Sequence, residues 1–255
     1  MGTLKNIART GYIAKGVIYL ITGVLTFMAA INIGGQKAGK EEVLGFIKKQ
    51  DLGSTLLLIL AIGLLCYATW RFAQAFVDPQ KRHGKSKNKG QRFALFVSGT
   101  TYVGLAGLAV LAASGSVSNT GIKHSSILTT EAGLWVLAGI GLIFVGRGVY
   151  QITRLFKTNF VRKFDLESMI DEKKRIIIKN SAFLGMSARA VIFLTIGFFA
   201  LKGAITANLD EIKDTSDVFS FIETSFWGSF QLGLVALGFI CYALYMFLSA
   251  KYRSF

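Results

Sequence analysis

The chain states one long apolar unit three times. Residues 9–30 read RTGYIAKGVIYLITGVLTFMAA, 92–113 read RFALFVSGTTYVGLAGLAVLAA, and 183–204 read FLGMSARAVIFLTIGFFALKGA. A shift of 83 positions places Arg9 on Arg92, Gly16 on Gly99, Tyr19 on Tyr102 and Ala29-Ala30 on Ala112-Ala113. A shift of 174 places Gly11 on Gly185, Lys15 on Arg189, Tyr19 on Phe193, Gly23 on Gly197 and Ala30 on Ala204. Internal periodicity of this kind constrains architecture before any local propensity does. The unit is too long and too apolar for a soluble solenoid. It speaks to shape and leaves the substrate open.

Six apolar stretches carry the pattern, near residues 10–33, 52–77, 93–115, 132–155, 182–206 and 226–250. Each has a core of about 20 residues, enough for a helix to cross about 30 Å of hydrocarbon. A soluble bundle would keep a polar stripe on every helix, and these cores have almost none. With 52% hydrophobic and 17% charged residues, the chain reads as an all-α, polytopic membrane protein, because helices satisfy their own backbone in lipid. The opening MGTLKNIARTGY leads into a segment too long for a cleaved signal peptide and is taken as the first span.

The second spans echo one another too. LLCYATWRF (64–72) aligns with FICYALYMF (239–247), carrying Gly63 onto Gly238 and Tyr67 onto Tyr242. The second span of the middle copy, GLWVLAGIGLIFVGRGVY, matches more weakly. Three two-helix repeats result, at 9–77, 92–155 and 182–250, within a single membrane domain 1–255. Each starts on the same side, so the copies are parallel about an axis along the membrane normal. A ring with pseudo-threefold symmetry is the default arrangement. The outer loops 42–54 and 217–229 also align, and each predicts a short amphipathic helix (Val43, Leu44, Phe46, Ile47; Val218, Phe219, Phe221, Ile222) lying flat with its apolar face down. A further interfacial candidate is LESMIDEKKRIIIK, 166–179.

Charge sets the orientation. Loop 78–92 carries six Lys/Arg, loop 156–181 seven and the two ends two each, seventeen in all, against six in the alternate loops. Excess Lys/Arg marks the cytoplasmic side, so the expectation is a bacterial cytoplasmic (inner) membrane protein with both termini inside. The net +15 is then topogenic, and no nucleic-acid partner is expected. Reporter fusions at Lys123 and Asp214 should report the outside and a fusion after Phe255 the inside. An external C-terminus would overturn this orientation.

The pattern Arg-x-Gly-Tyr…Gly-x-x-Tyr…Gly…Ala-Ala, here Arg9, Gly11, Tyr12, Gly16, Tyr19, Gly23 and Ala29-Ala30, resembles the bacterial membrane proteins grouped as domain of unknown function 1206. That resemblance implies three tandem two-helix units and a bacterial inner-membrane setting, and it implies no reaction. The third copy departs from the pattern, with Phe183 in place of the arginine and Phe193 in place of the second tyrosine.

Two constellations stand out. Gly16, Tyr19 and Gly23 share one face of the first span; Gly99 and Tyr102 share it in the second copy, and Ala190, Phe193 and Gly197 in the third. Small residues at this spacing let helices approach closely in lipid, so the stripe is read as helix packing, with a pore lining as the lesser alternative. The second constellation is electrostatic. The ionisable residues inside the spans are Lys15, Arg71, Arg147, Arg154, Arg189 and Lys202, and no Asp or Glu lies well inside any span. Intramembrane charges are costly and usually paired. Arg71 and Arg154 lie near enough to the inner boundary to snorkel. Lys15 and Arg189, at equivalent positions one to two turns inside the inner edge, and the deeper Arg147 could converge on an anion or lipid headgroup; snorkelling is the alternative.

Cys66 and Cys241 both fall inside spans, so a disulfide framework is not expected. His83 and His124 lie in loops on opposite faces and cannot share a metal. No cofactor, metal or catalytic signature is expected, and the chain is read as a non-enzyme. The expected partners are membrane lipids, anionic on the cytoplasmic side, with a protein partner unidentified. A small transporter or channel for an anion or lipid-like solute is the competing reading.

Overall fold

The computed structural model describes residues 2–35, 39–77, 89–115, 131–156, 172–207, 212–224 and 227–252. They form eight helices: α1 (Gly2–Ala30), α2 (Lys40–Lys48), α3 (Gly53–Phe76), α4 (Lys89–Ser114), α5 (Glu131–Phe156), α6 (Glu172–Thr206), α7 (Thr215–Glu223) and α8 (Gly228–Tyr252). All but the short α2 and α7 are long and apolar enough to cross a membrane. At about 1.5 Å per residue, a 24-residue helix such as α3 rises about 36 Å. Most of loop 78–92 and the segment 166–171 lie outside the described residues. Glu172–Lys179 is not a separate interfacial helix but the first turns of α6, and Ile178 is fully buried.

The six spans pack in the order α4–α3–α1–α8–α6–α5. The second span of each expected repeat packs on the first span of the next: α3 on α4, α5 on α6, α8 on α1. The stripe residues lie in those contacts. Gly16 faces Phe247 of α8, Gly23 faces Ala236 and Ile240 of α8, Gly99 faces Phe72 of α3, and Gly197 faces Gly141 and Val145 of α5. Tyr19, Tyr102 and Ala190 are buried in the same seams.

Within the first and third hairpins a second type of contact is tighter. A methyl group on Gly11 would come within 2.5 Å of the Tyr67 backbone, and one on Gly185 within 2.5 Å of the Tyr242 backbone. One turn on, Gly63 abuts Ala14 and Gly238 abuts Ala188. Only glycine permits this approach, since any Cβ would need the facing main chain to move. These four glycines coincide under the 174 and 175 shifts, the one signal in the sequence that marks them beside Gly16 and Gly23 as packing residues.

The middle hairpin behaves differently. Burial aligns α5 with its counterparts through Gly53, Gly133 and Gly228, Leu57, Leu137 and Leu232, and Ala68, Gly148 and Ala243, each triplet buried. On that register Gly63 and Gly238 correspond to Ile143, and under the 83 shift Gly11 and Ala14 correspond to Ala94 and Val97. All three crossing positions are therefore larger in the middle hairpin. α4 and α5 consequently make no extensive contact among the described residues. Among the described residues the α3–α4, α5–α6 and α8–α1 seams are closed and the α4–α5 seam is open.

The expectation for α2 and α7 needs correction. Their apolar residues do not lie free on a surface but dock on one end of the bundle, with Val43, Val218 and Phe219 fully buried. α2 sits against α1, α3 and α4, and α7 against α6 and α8. The Ser216 hydroxyl donates to Glu42 Oε1 at 3.0 Å, linking the two caps. α7 begins with a capping box, in which Asp214 Oδ1 accepts from the Asp217 N–H at 2.8 Å and the Asp214 N–H donates back to Asp217 Oδ2 at 3.2 Å. Lys48 Nζ donates to Ser54 Oγ and to the Ala113 carbonyl, both at 2.7 Å. A cation at the C-terminal end of α4 satisfies a carbonyl the helix itself leaves open.

Candidate functional site

Lys15 and Arg189 lie mid-helix in α1 and α6. Their side chains do not snorkel: Lys15 is 3% and Arg189 9% exposed. The close crossing at Gly11 and Gly63 presses Tyr67 against α1, where its hydroxyl accepts from Lys15 Nζ at 2.9 Å. The matching crossing at Gly185 and Gly238 brings the Tyr242 hydroxyl to accept from Arg189. The glycines thus place the tyrosines, and the tyrosines hold the cations.

Around these bonds the aromatic rings form a cage. Lys15 Nζ lies 4.6 Å from the Tyr67 ring centroid, 5.1 Å from Tyr102, 5.5 Å from Tyr242 and 5.9 Å from Tyr19. The Arg189 guanidinium lies 4.4 Å from Tyr242 and 5.0 Å from both Tyr19 and Phe193. Lys15 and Arg189 therefore share the Tyr19 and Tyr242 rings. Tyr67–Tyr102 and Tyr19–Tyr242 pack edge to face at 4.6 and 4.8 Å between centroids, the geometry that ring quadrupoles favour.

Arg147 joins from the opposite flank. The α5 register puts it where the other two hairpins have Tyr67 and Tyr242, and its guanidinium lies 5.6 Å from the Phe193 ring that also faces Arg189. It is only half-buried, because α4 does not cover this side of α5. Arg71 was expected to snorkel. Instead it donates to the Tyr67 hydroxyl and to Gln74 Oε1, making it a fourth member that the sequence reading assigned elsewhere. Its clue was the i, i+4 spacing from Tyr67, which puts both groups on one helix face. The Arg154 side chain lies outside the described residues, and Lys202 is exposed away from the cluster.

The energetics leave the cluster with excess positive charge. A desolvated cation–π contact contributes about 2 kcal/mol and a hydrogen bond to a charged group about 1.5–3 kcal/mol. Burying each ion costs several kcal/mol, and the like charges of Lys15 and Arg71, held on one Tyr67 hydroxyl, repel one another as well. Rings and hydroxyls carry no net charge, so they soften this cost without cancelling it. The Nε atoms of Arg71 and Arg189 are buried and meet no acceptor. Chemically the arrangement suits a small anionic group that accepts from guanidinium.

The sequence pattern of the family described as Domain of Unknown Function (DUF1206) matches residues 10–78 and 184–253. The chain is also similar to the uncharacterized protein YxxB of Bacillus subtilis (strain 168), 28% identical over 254 residues, which cover 98% of this chain and 91% of that protein. No solved structure matches the chain.

Proposed function

This chain belongs to the DUF1206 family, and from that premise we propose that it is a non-enzymatic membrane protein that works by holding an anionic lipid at its central basic cluster. One observation carries the reading: Lys15, Arg71 and Arg189 are packed among tyrosines inside the bundle, with no intramembrane carboxylate and with two guanidinium Nε atoms lacking an acceptor. An anion reduces the cost of this burial and completes those bonds. The rings enclose Lys15 and Arg189 closely, which favours holding a group over conducting it. A transporter for a lipid-like anion is the second reading, and the open α4–α5 seam is the observation that favours it. The setting we propose is the bacterial cytoplasmic membrane with both termini inside, its partners being the anionic lipids of that membrane.

The full chain, released from vesicles containing phosphatidylglycerol or only phosphatidylcholine, should show a retained anion by native mass spectrometry in the first case. Arg189→Gln and Arg147→Gln should lose it, by about tenfold or more for one charge-assisted contact. A parallel sample given inorganic phosphate separates a headgroup from a free ion. Absence of any retained anion, or retention by both variants equal to that of the unsubstituted chain, would overturn the reading.

A further inference from the structure

The open seam has chemistry of its own. In α1 the face turned to α3 is buried at Ile18 and Leu25; at the corresponding places in α4, Thr101 is exposed and Leu108 is 38% exposed. On α5, Ile143 is 41% and Tyr150 57% exposed, although Tyr150 corresponds to the buried Trp70 and Tyr245. A methyl group built on Gly104 of α4 would meet nothing within 4 Å. Among the described residues the result is an apolar slot between two spans that lack the partner face the other hairpins have. Along its walls, from 94 to 108 and from 140 to 150, Arg147 is the only charged residue. It lies at the inner margin, against the Phe193 ring shared with Arg189.

We propose that this slot is a lateral docking site for one lipid, with a hydrocarbon chain between α4 and α5 and an anionic head turned towards Arg147. This rests on the anion reading above and adds the route by which the ligand arrives. Apolar walls with a single cation at the inner margin match an amphiphile with one anionic end. A partner helix of ordinary apolar composition would leave Arg147 facing hydrocarbon without a counter-charge, which membranes penalise. A free phosphate would gain nothing from the apolar walls. Lipid therefore fits both features of the slot.

The test uses the full chain in vesicles with a phosphatidylglycerol carrying a photoreactive group mid-chain, followed by peptide mapping of the adducts. Labelling should concentrate on α4 and α5, fall about tenfold in Arg147→Gln, and fall at least as far in Gly104→Trp, where the Cβ enters open space and the indole is large enough to occupy the slot. Ile59→Trp, on the lipid-facing side of α3 and 63% exposed, should leave labelling unchanged. The phosphatidylcholine analogue should label the slot several-fold less. Even labelling over all six spans, equal labelling by the two lipids, or a native dimer that occludes α4 and α5 would overturn the proposal. If native mass spectrometry still shows the anion in Gly104→Trp, the slot is wrong while the central site stands. If the wild type retains no anion, the central site itself falls.

Discussion

Gly11→Ala should destabilise the detergent-solubilised protein by about 1–3 kcal/mol, the usual range for forcing extra volume into a filled contact. The added methyl group would lie 2.5 Å from both Cα and N of Tyr67, so a helix and not a side-chain tip has to move. Gly185→Ala should behave alike, because its methyl group would meet the Tyr242 backbone at the same distance. Gly16→Ala should cost less: its nearest atoms belong to the Phe247 ring, which can turn aside. Gly104→Ala should have the opposite sign, stabilising by roughly 0.5–1 kcal/mol, since it removes a flexible helix residue and meets nothing. Thermal unfolding of the four variants, followed by circular dichroism, gives the ranking. A Gly11→Ala protein as stable as Gly104→Ala would mean that α1 and α3 do not cross at this point.

Tyr67→Phe should be the most damaging single-atom deletion in the bundle. The Tyr67 hydroxyl accepts from both Lys15 and Arg71, whereas the Tyr242 hydroxyl accepts from Arg189. Removing an acceptor from a buried charged donor costs about 1.5–3 kcal/mol, and here Lys15 and Arg71 lose one acceptor each. The two losses are not independent, so roughly 3–5 kcal/mol is expected for Tyr67→Phe and about half of that for Tyr242→Phe. The phenyl ring retains the edge-to-face packing with Tyr12 and Tyr102, which keeps the change specific to the hydroxyl. Chemical denaturation in mixed micelles compares the two variants. Anionic lipid in the micelle should recover part of the loss, because a lipid oxygen can take the place of the missing acceptor. Equal small effects from both substitutions would remove the hydroxyls as the groups that hold the cations.

Much of the architecture could be read without coordinates, and the reason is lipid. A bilayer demands helices about 20 residues long with satisfied backbones, and apolar runs of that length are visible in composition alone. The small-residue stripe was equally readable, since three-and-four spacing places Gly16, Tyr19 and Gly23 on one face whatever packs against it. The basic residues were readable as a problem, because cations without carboxylates in a membrane need an answer. Their answer was not. Lys15 seemed free to snorkel until the structure showed four tyrosine rings around it, contributed by four spans. Arg71, one turn from Tyr67, seemed to be an interfacial anchor for the same reason.

What the sequence determined by itself was therefore the membrane class, the helices, the seam-forming stripe and the unbalanced positive charge. What only the tertiary structure decided was which helices meet and which do not. The weak match of the middle copy left the register of α5 undetermined. Burial supplies it and turns Arg147 into the counterpart of Tyr67 and Tyr242. Ala94, Val97 and Ile143 then read as the larger groups that stand where the other hairpins have a close backbone crossing. A methyl group costs little in a sequence comparison. It is decisive where two backbones must approach to within one atom's width, and that distance exists only once the chain is folded.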